Sequence, residues 1–334
     1  MSLKLKTLLA RFPRMELIGF QTPIQYLPNL SQRLGIELYV KRDDLTGIAI
    51  GGNKVRKLEY LLGDALSKGY DTVITTGAVH SNHAFVTALA AKKLGLNALL
   101  VLRGKKDAPV KGNYLLDKLM GIEVILVDAK STYPVMEEVA EELKAKGKKA
   151  YIIPVGGASP VGTLGYVRAA AEIWEQETAL GVEFDYVVHA AGSGGTFAGL
   201  TLGFNLMDSK TEVIGIDVGG LLKGLPEKVF NLIGETAGLI GCVHNLTENH
   251  IAAHLFEYGF GEYGRITKEV IETIRLVGAE EGIILDPIYT AKAFYGLMDL
   301  TRNGKIAPGS KVLFVHTGGM PGIFQYDEKV REFI

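Results

Sequence analysis

Thr72-Val73-Ile74-Thr75-Thr76-Gly77-Ala78-Val79-His80-Ser81-Asn82-His83 is the stretch that decides the fold. Its first five residues are β-branched and uncharged, which predicts a buried strand. Ser81 is a good N-cap, and Asn82 to Leu94 reads as a helix. The pattern then repeats toward the C-terminus. Ala98–Leu102 reads as a strand, Tyr114–Met120 as a helix, and Glu123–Val127 as a strand. Tyr133–Lys146 is a charged amphipathic helix, followed by the strand Tyr151–Pro154. Gly156-Gly157-Ala158-Ser159-Pro160 interrupts, and Gly165–Glu177 is a helix. A second alternation contains the strands Tyr186–Ala190 and Val213–Asp217, and Val312–His316 is the last strand. Strands that alternate with helices give parallel sheets covered on both faces. With no repeat, low-complexity tract or long linker, the chain reads as two doubly wound, mostly parallel α/β units closely joined. Such folds bind ligands at the C-terminal ends of their strands.

Toward the N-terminus, Leu27–Leu34 is helix-like and Glu37-Leu38-Tyr39-Val40-Lys41 is a short strand. Gly51-Gly52-Asn53-Lys54-Val55-Arg56-Lys57 follows, and Val55, Leu58, Leu61, Leu62, Ala65 and Leu66 recur at helical spacing. Asn53 is therefore a predicted N-cap, with Lys54 in the first turn. A helix start is electropositive and disfavours a cation. A lysine held there and desolvated has a lowered pKa and more free amine, the form Schiff-base chemistry needs. A solvated surface lysine is the plain alternative. The spacing from Gly47 to Gly52 comes near a phosphate-binding P-loop. That reading fails because Asn53 stands at the lysine position and Val55 at the hydroxyl position.

The 334 residues allow two substantial cores. A net charge of −1 argues against nucleic acid or an anionic membrane as the main partner. No stretch approaches a membrane span. Met1 to Met15 is too short and too interrupted by Lys4, Lys6 and Arg11 for a signal peptide's apolar core. Cys242 is the single cysteine, so no intrachain disulfide forms, and the expected location is the cytoplasm. Scarce Gln with abundant Lys and Glu leans toward a heat-adapted source.

Four loops sit at predicted strand ends: the one holding Lys54, Gly77–His83, Gly192-Ser193-Gly194-Gly195-Thr196, and Thr317-Gly318-Gly319-Met320-Pro321. The third is an anion cradle, where convergent backbone N–H groups precede a helix start. Phe197 occupies the third glycine position of a dinucleotide fingerprint, so that alternative, and with it a dehydrogenase, is disfavoured. His80 and His83 have no further ligand at metal-binding spacing, so no metal is expected. Ser81 and Asn82 could serve only as caps, Thr317-Gly318-Gly319 only as a turn, and Tyr289 only in packing. In combination, a lysine amine, a phosphate cradle and hydroxyl or amide groups at strand ends describe a site for pyridoxal 5′-phosphate.

On these residues the chain resembles the fold-type II pyridoxal-phosphate enzymes, which share the tryptophan synthase β-subunit fold. Within them it is similar to the 1-aminocyclopropane-1-carboxylate deaminase and D-cysteine desulfhydrase branch. The resemblance spans nearly the whole chain. It includes Thr22-Pro23, Lys41-Arg42-Asp43-Asp44, Gly51-Gly52-Asn53-Lys54-x-Arg56-Lys57, Ser81-Asn82, Gly112-Asn113-x-Leu115-Leu116, Gly192–Thr196, Asp286-Pro287-x-Tyr289 and His316-Thr317-Gly318-Gly319.

The resemblance implies that Lys54 carries the cofactor, that Lys57 lies near its phosphate, and that Asn82 donates to its 3′-oxygen. It implies that Gly192, Ser193, Gly194, Gly195 and Thr196 hold the phosphate and that Thr317 joins the cofactor site. Ser81, with the backbone at Asn82 and His83, matches a substrate-carboxylate site, and Ser81 also moves protons there. Tyr263 and Tyr289 match two active-site tyrosines. It further implies a homodimer, a discontinuous large domain (1–56 and 167–334) and a small domain (57–166).

Two positions sort the branch. The deaminase pattern has Glu after the tyrosine and Leu before the paired glycines, where this chain has Thr290 and Thr317. A carboxylate at the pyridine nitrogen keeps it protonated and makes a strong electron sink, whereas a hydroxyl leaves a weaker one. Opening a cyclopropane needs the strong sink, and expelling hydrosulfide does not. The expected reaction is therefore α,β-elimination from a small amino acid, D-cysteine giving pyruvate, sulfide and ammonia, with Thr290 in the substrate site. The alternatives are cyclopropane deamination to 2-oxobutyrate and, in another class, a non-catalytic nucleotide-binding protein. Phe85-Val86 replaces an Arg–Gln pair usual in the family, and His80 replaces a Gln. Both changes are expected to border the carboxylate pocket.

Overall fold

The computed structural model describes residues 1–220 and 223–334. Its ten described strands are β1 (Ile24–Tyr26), β2 (Glu37–Lys41), β3 (Thr72–Ala78), β4 (Asn97–Arg103), β5 (Glu123–Val127), β6 (Ala150–Ile153), β7 (Tyr186–Ala191), β8 (Glu212–Asp217), β9 (Leu255–Glu257) and β10 (Lys311–Val315). They form two sheets. One has the order β1-β2-β10-β7-β8-β9 and the other β5-β4-β3-β6. Every pairing is parallel except that of β1 with β2. The expected doubly wound α/β class is therefore the observed one.

Residues that alternate along a strand face opposite ways. Val187 and Leu313 join a core with Tyr166, Phe197 and Phe204 on one face of the larger sheet. Val188 and Phe314 join Leu38, Ile216 and Phe294 on the other. In the smaller sheet Leu99 and Val101 pack with Met136, while Leu100 and Leu102 pack with Phe85 and Ala88. Both faces are covered, so the strands read as continuous apolar runs.

In the smaller sheet the chain moves outward from β3 to β4 and β5, then returns to β6 on the other side of β3. In the larger sheet it moves from β7 to β8 and later returns to β10 on the other side of β7. The order reverses at β3/β6 and at β7/β10, which are the positions where such sheets open a crevice.

Most helix ends fall within one or two residues of those expected, as in Pro28–Leu34, Asn82–Lys93 and Thr132–Ala145. The expected Gly165–Glu177 helix spans Pro160–Leu180, capped by Ser159 Oγ, which accepts from Gly162 N at 3.3 Å, and closed by Gly181. The helix Lys54–Ser67 starts where the spacing predicts. Asn53 sits at its N-cap position without capping: its backbone is already helical and its side chain reaches elsewhere. The expected divisions at 56/57 and 166/167 fall inside these two helices, which pack on each other. Among the described residues no helix is long and apolar enough to cross a membrane.

Candidate active site

The loops after β3, β7 and β10 converge with the start of the helix Lys54–Ser67 on one cavity of about 530 Å³. Its lining includes Lys54, Lys57, Ser81, Asn82, His83, Gly192, Ser193, Gly194, Thr196, Tyr263, Tyr289 and Thr317. The lysine loop is held to the loop after β10 by backbone, Asn53 N donating to Thr317 O at 3.1 Å, and closes on itself where Gly52 N donates to Asp43 O at 3.0 Å. A Cβ on Gly318 would lie 2.8 Å from Gly52 Cα, and both glycines have positive φ. No other residue allows this approach. His316 fixes the turn through a bond between Nε2 and Ile284 O at 3.0 Å and by accepting from Gly318 N at 3.2 Å.

Lys54 lies at the centre. Its Nζ donates to Asn53 Oδ1 at 2.8 Å. Burial lowers its pKa to about 8, against the opposing pull of Asp286. The depression expected from a helix start thus has desolvation as its leading cause. Asn53 Nδ2 meanwhile donates to Thr196 Oγ1 at 2.9 Å, tying the lysine loop to the glycine loop.

Lys57 follows one turn later and is buried. Its Nζ donates to Gly156 O at 3.1 Å. A Cβ on Gly195 would lie 2.9 Å from that Nζ, so the glycine admits the amine to the start of the helix Gly195–Leu206. Gly195 itself does not line the cavity surface. Burial first, then Lys54 and Lys228, push the Lys57 pKa well down. Three amines thus approach a glycine-rich helix start without a carboxylate ion pair among the described residues. An anion fits there: it supplies the missing counter-charge and accepts from the backbone N–H groups.

Ser81 Oγ accepts from Ala84 N at 3.2 Å, so it caps the helix Asn82–Lys93 while lining the cavity. His83 Nε2 bonds Thr75 Oγ1 at 2.9 Å, and burial drives its pKa well down, leaving a neutral structural ring. His80 instead lies edge-on to Tyr326 and does not line the cavity. Tyr263 and Tyr289 share a hydroxyl–hydroxyl bond, and desolvation of the hydroxyls raises both pKa values although the Tyr263 side chain as a whole is half exposed, so both are neutral phenols.

Besides His80, two expectations are corrected. Thr290 is fully buried and does not line the cavity. Its Oγ1 donates to Asp286 Oδ1 at 2.7 Å and accepts from Asp286 N at 2.7 Å, so its hydroxyl belongs to that turn. Asp286 also accepts from the N–H groups of Ile288, Tyr289 and Thr290, which fixes Tyr289. Of the Phe85-Val86 pair only Val86 lines the cavity. Phe85 points into the core with Leu100, Leu102 and Ile122.

Sequence reasoning missed Arg103, at the end of β4, and Lys228, both of which line the cavity. Neither lies in a motif, and only the fold brings them in. No Asp or Glu is present among the described lining residues.

A buried lysine with a lowered pKa, sharing one cavity with a glycine-rich helix start at the strand ends of a parallel α/β fold, fits an enzyme of the pyridoxal-phosphate class. The family model described as "Pyridoxal-phosphate dependent enzyme" matches residues 15–318. A Pyrococcus furiosus protein named "Putative 1-aminocyclopropane-1-carboxylate deaminase" is 58% identical over 334 residues, covering 99% of each chain. A D-cysteine desulfhydrase of Yersinia enterocolitica is 40% identical over 329 residues, covering 96% of this chain and 98% of its own. A solved ACC deaminase homologue superposes with a TM-score of 0.92 at 58% identity, covering 99% of each chain. The chain belongs to the pyridoxal-phosphate-dependent enzymes of fold-type II, in the family of 1-aminocyclopropane-1-carboxylate deaminase and D-cysteine desulfhydrase.

Proposed function

We propose that this enzyme catalyses α,β-elimination from a small amino acid, D-cysteine giving pyruvate, sulfide and ammonia. The observation that carries the reading is a cavity with a reactive lysine and no carboxylate among its described lining residues. Pyridoxal phosphate, when bound, supplies the sink for negative charge at Cα. Gly192–Thr196 with Lys57 would hold its phosphate, Asn82 would meet its 3′-oxygen, and Thr317 would stand beside it. With no acid among the described lining residues the sink would be weak, which suits a good leaving group.

Lys54 is the group for the α-proton. Its pKa of about 8 leaves a useful fraction of free amine near neutrality. The substrate carboxylate docks on Ser81 and the N–H groups opening the helix Asn82–Lys93, where the helix dipole favours an anion. Tyr289, braced by Asp286, and Tyr263 face the departing group as neutral donors. In this reading the two sheets belong to two domains, 1–56 with 167–334 and 57–166, and the enzyme works as a homodimer.

Ring opening of 1-aminocyclopropane-1-carboxylate is the second reading. The comparisons favour it, because the relative named for that deaminase is 58% identical and the desulfhydrase 40%. The test is a parallel assay of D-cysteine, L-cysteine, D-serine and the cyclopropane amino acid. Elimination predicts the highest kcat/KM with D-cysteine and slow or absent ring opening. The highest value with the cyclopropane would overturn it in favour of the second reading.

A further inference from the structure

The motif Gly112-Asn113 has no part in the chemistry above, yet Asn113 is fully buried beside the cavity wall. It opens the helix Gly112–Leu119. Its Nδ2 makes two bonds, to His80 O at 3.2 Å and to Asn82 Oδ1 at 2.6 Å. A backbone carbonyl only accepts, so the bond to His80 fixes which end of the Asn113 amide is nitrogen. Turning that amide over would set Oδ1 against the carbonyl of His80. The bond to Asn82 then fixes the second amide: Asn82 must present oxygen to Asn113 and keep its NH₂ for another partner. Asn82 lines the cavity.

We propose that Asn113 is a positioning residue that sets the amide of Asn82, so that a donor rather than an acceptor meets the cofactor's ring oxygen. The proposal rests on the assignment of Asn82 to that oxygen. An oxyanion beside an amide is stabilised by the N–H end and repelled by the C=O end. Without Asn113 the Asn82 amide is free to turn, and its two orientations have opposite effects. The first β–α connection of the small sheet and the second helix of that sheet are thereby coupled through one side chain.

The experiment is a double-substitution cycle on the cofactor-loaded enzyme, reading the pH midpoint of its visible absorbance and the cofactor dissociation constant. A donor at the ring oxygen spreads its negative charge, so losing the donor makes the adjacent chromophore hold its proton to higher pH. Asn113→Leu should raise the midpoint by about half a pH unit or more and weaken cofactor binding about 3- to 10-fold. Added to Asn82→Ala, the same substitution should change neither value further. An unmoved midpoint in Asn113→Leu, or an equal shift in both backgrounds, overturns the proposal while leaving Asn82 in place. An unmoved midpoint in Asn82→Ala itself overturns the assignment of Asn82 and this proposal with it. Should Asn113→Leu fail to fold, the smaller Asn113→Ala enters the same cycle. It removes the donor to Asn82 without adding a charge, and should raise the midpoint alone and not in the Asn82→Ala background; no rise overturns the proposal.

Discussion

Arg56 and Lys57 are adjacent in sequence and similarly buried, at 4% and 1% exposure, but their surroundings are opposite. Arg56 donates to both oxygens of Asp43 and both of Glu172, at 2.7–2.9 Å. Lys41 also pairs with Glu172 at 2.5 Å, and Tyr166 donates to Asp43 at 2.6 Å. On that face of the helix Lys54–Ser67 each charge has its counter-charge inside the chain. Lys57 has one carbonyl, and the titratable side chains that act on it are the amines of Lys54 and Lys228. A buried charge is tolerated when paired and costly when not. The paired face is therefore framework, and the unpaired face is built for an anion that comes from outside the chain.

The largest expected effect separates Lys54 from every other amine. Lys54→Ala should lower turnover by about a thousandfold or more and remove the borohydride-fixable link to the cofactor. Peptide mapping after reduction would show the outcome, and label on another lysine would mean the unpaired face has been misassigned.

The neighbouring pair should then give opposite signs in the cofactor-free protein. Arg56→Met leaves Asp43 without a counter-charge and Glu172 with Lys41 alone, and should destabilise it by about 3–5 kcal/mol. Lys57→Met removes a buried amine that has no counter-charge and should stabilise it, while weakening cofactor binding. Urea unfolding and a cofactor titration measure both, and a destabilised Lys57→Met would break the comparison.

A smaller effect belongs to the glycine loop. Thr196→Val removes a hydroxyl donor to a dianion and should weaken cofactor binding by about 1.5–3 kcal/mol. Unchanged affinity would reduce this loop to a turn.

A last comparison is in the pH dependence of stability. Lys54 has its pKa lowered from 10.5 to about 8, so the unfolded state binds the extra proton between these values. Cofactor-free stability should therefore rise with pH across that window, and Lys54→Met should make that rise shallower while Lys292, lowered from 10.5 to about 8 by burial, keeps part of it. Asp43 is lowered from 3.8 to about 2 by Arg56, against the opposing effect of burial. Its stabilisation is present above 3.8 and lost as pH falls toward 2, which Asp43→Asn would flatten. Denaturation at a series of pH values checks both slopes.

The candidate site was legible wherever its chemistry lies in a local motif. Lys54, the glycine loop, Ser81-Asn82 and Thr317 all reach the cavity because each follows a strand end that the sequence marks. Thr290 was misread because a pattern reports a residue's position and not the direction of its side chain. Four residues earlier, Asp286 claims that hydroxyl. Phe85 was misread for the same reason: one helix position separates the cavity wall from the core.

The sequence by itself determined the succession of strands and helices, because the periods of 2 and 3.6 are properties of short segments. It also determined the lysine-and-phosphate chemistry, because glycines and a lysine at a helix start are local signals. Only the tertiary structure decided which amines lack a counter-charge, that Arg103 and Lys228 reach the cavity, and how the amide of Asn82 is turned. Those facts depend on contacts such as Asn53 with Thr196, 143 positions apart, and Asn82 with Asn113, 31 apart. Sheet order and register create such contacts, and no local period encodes them.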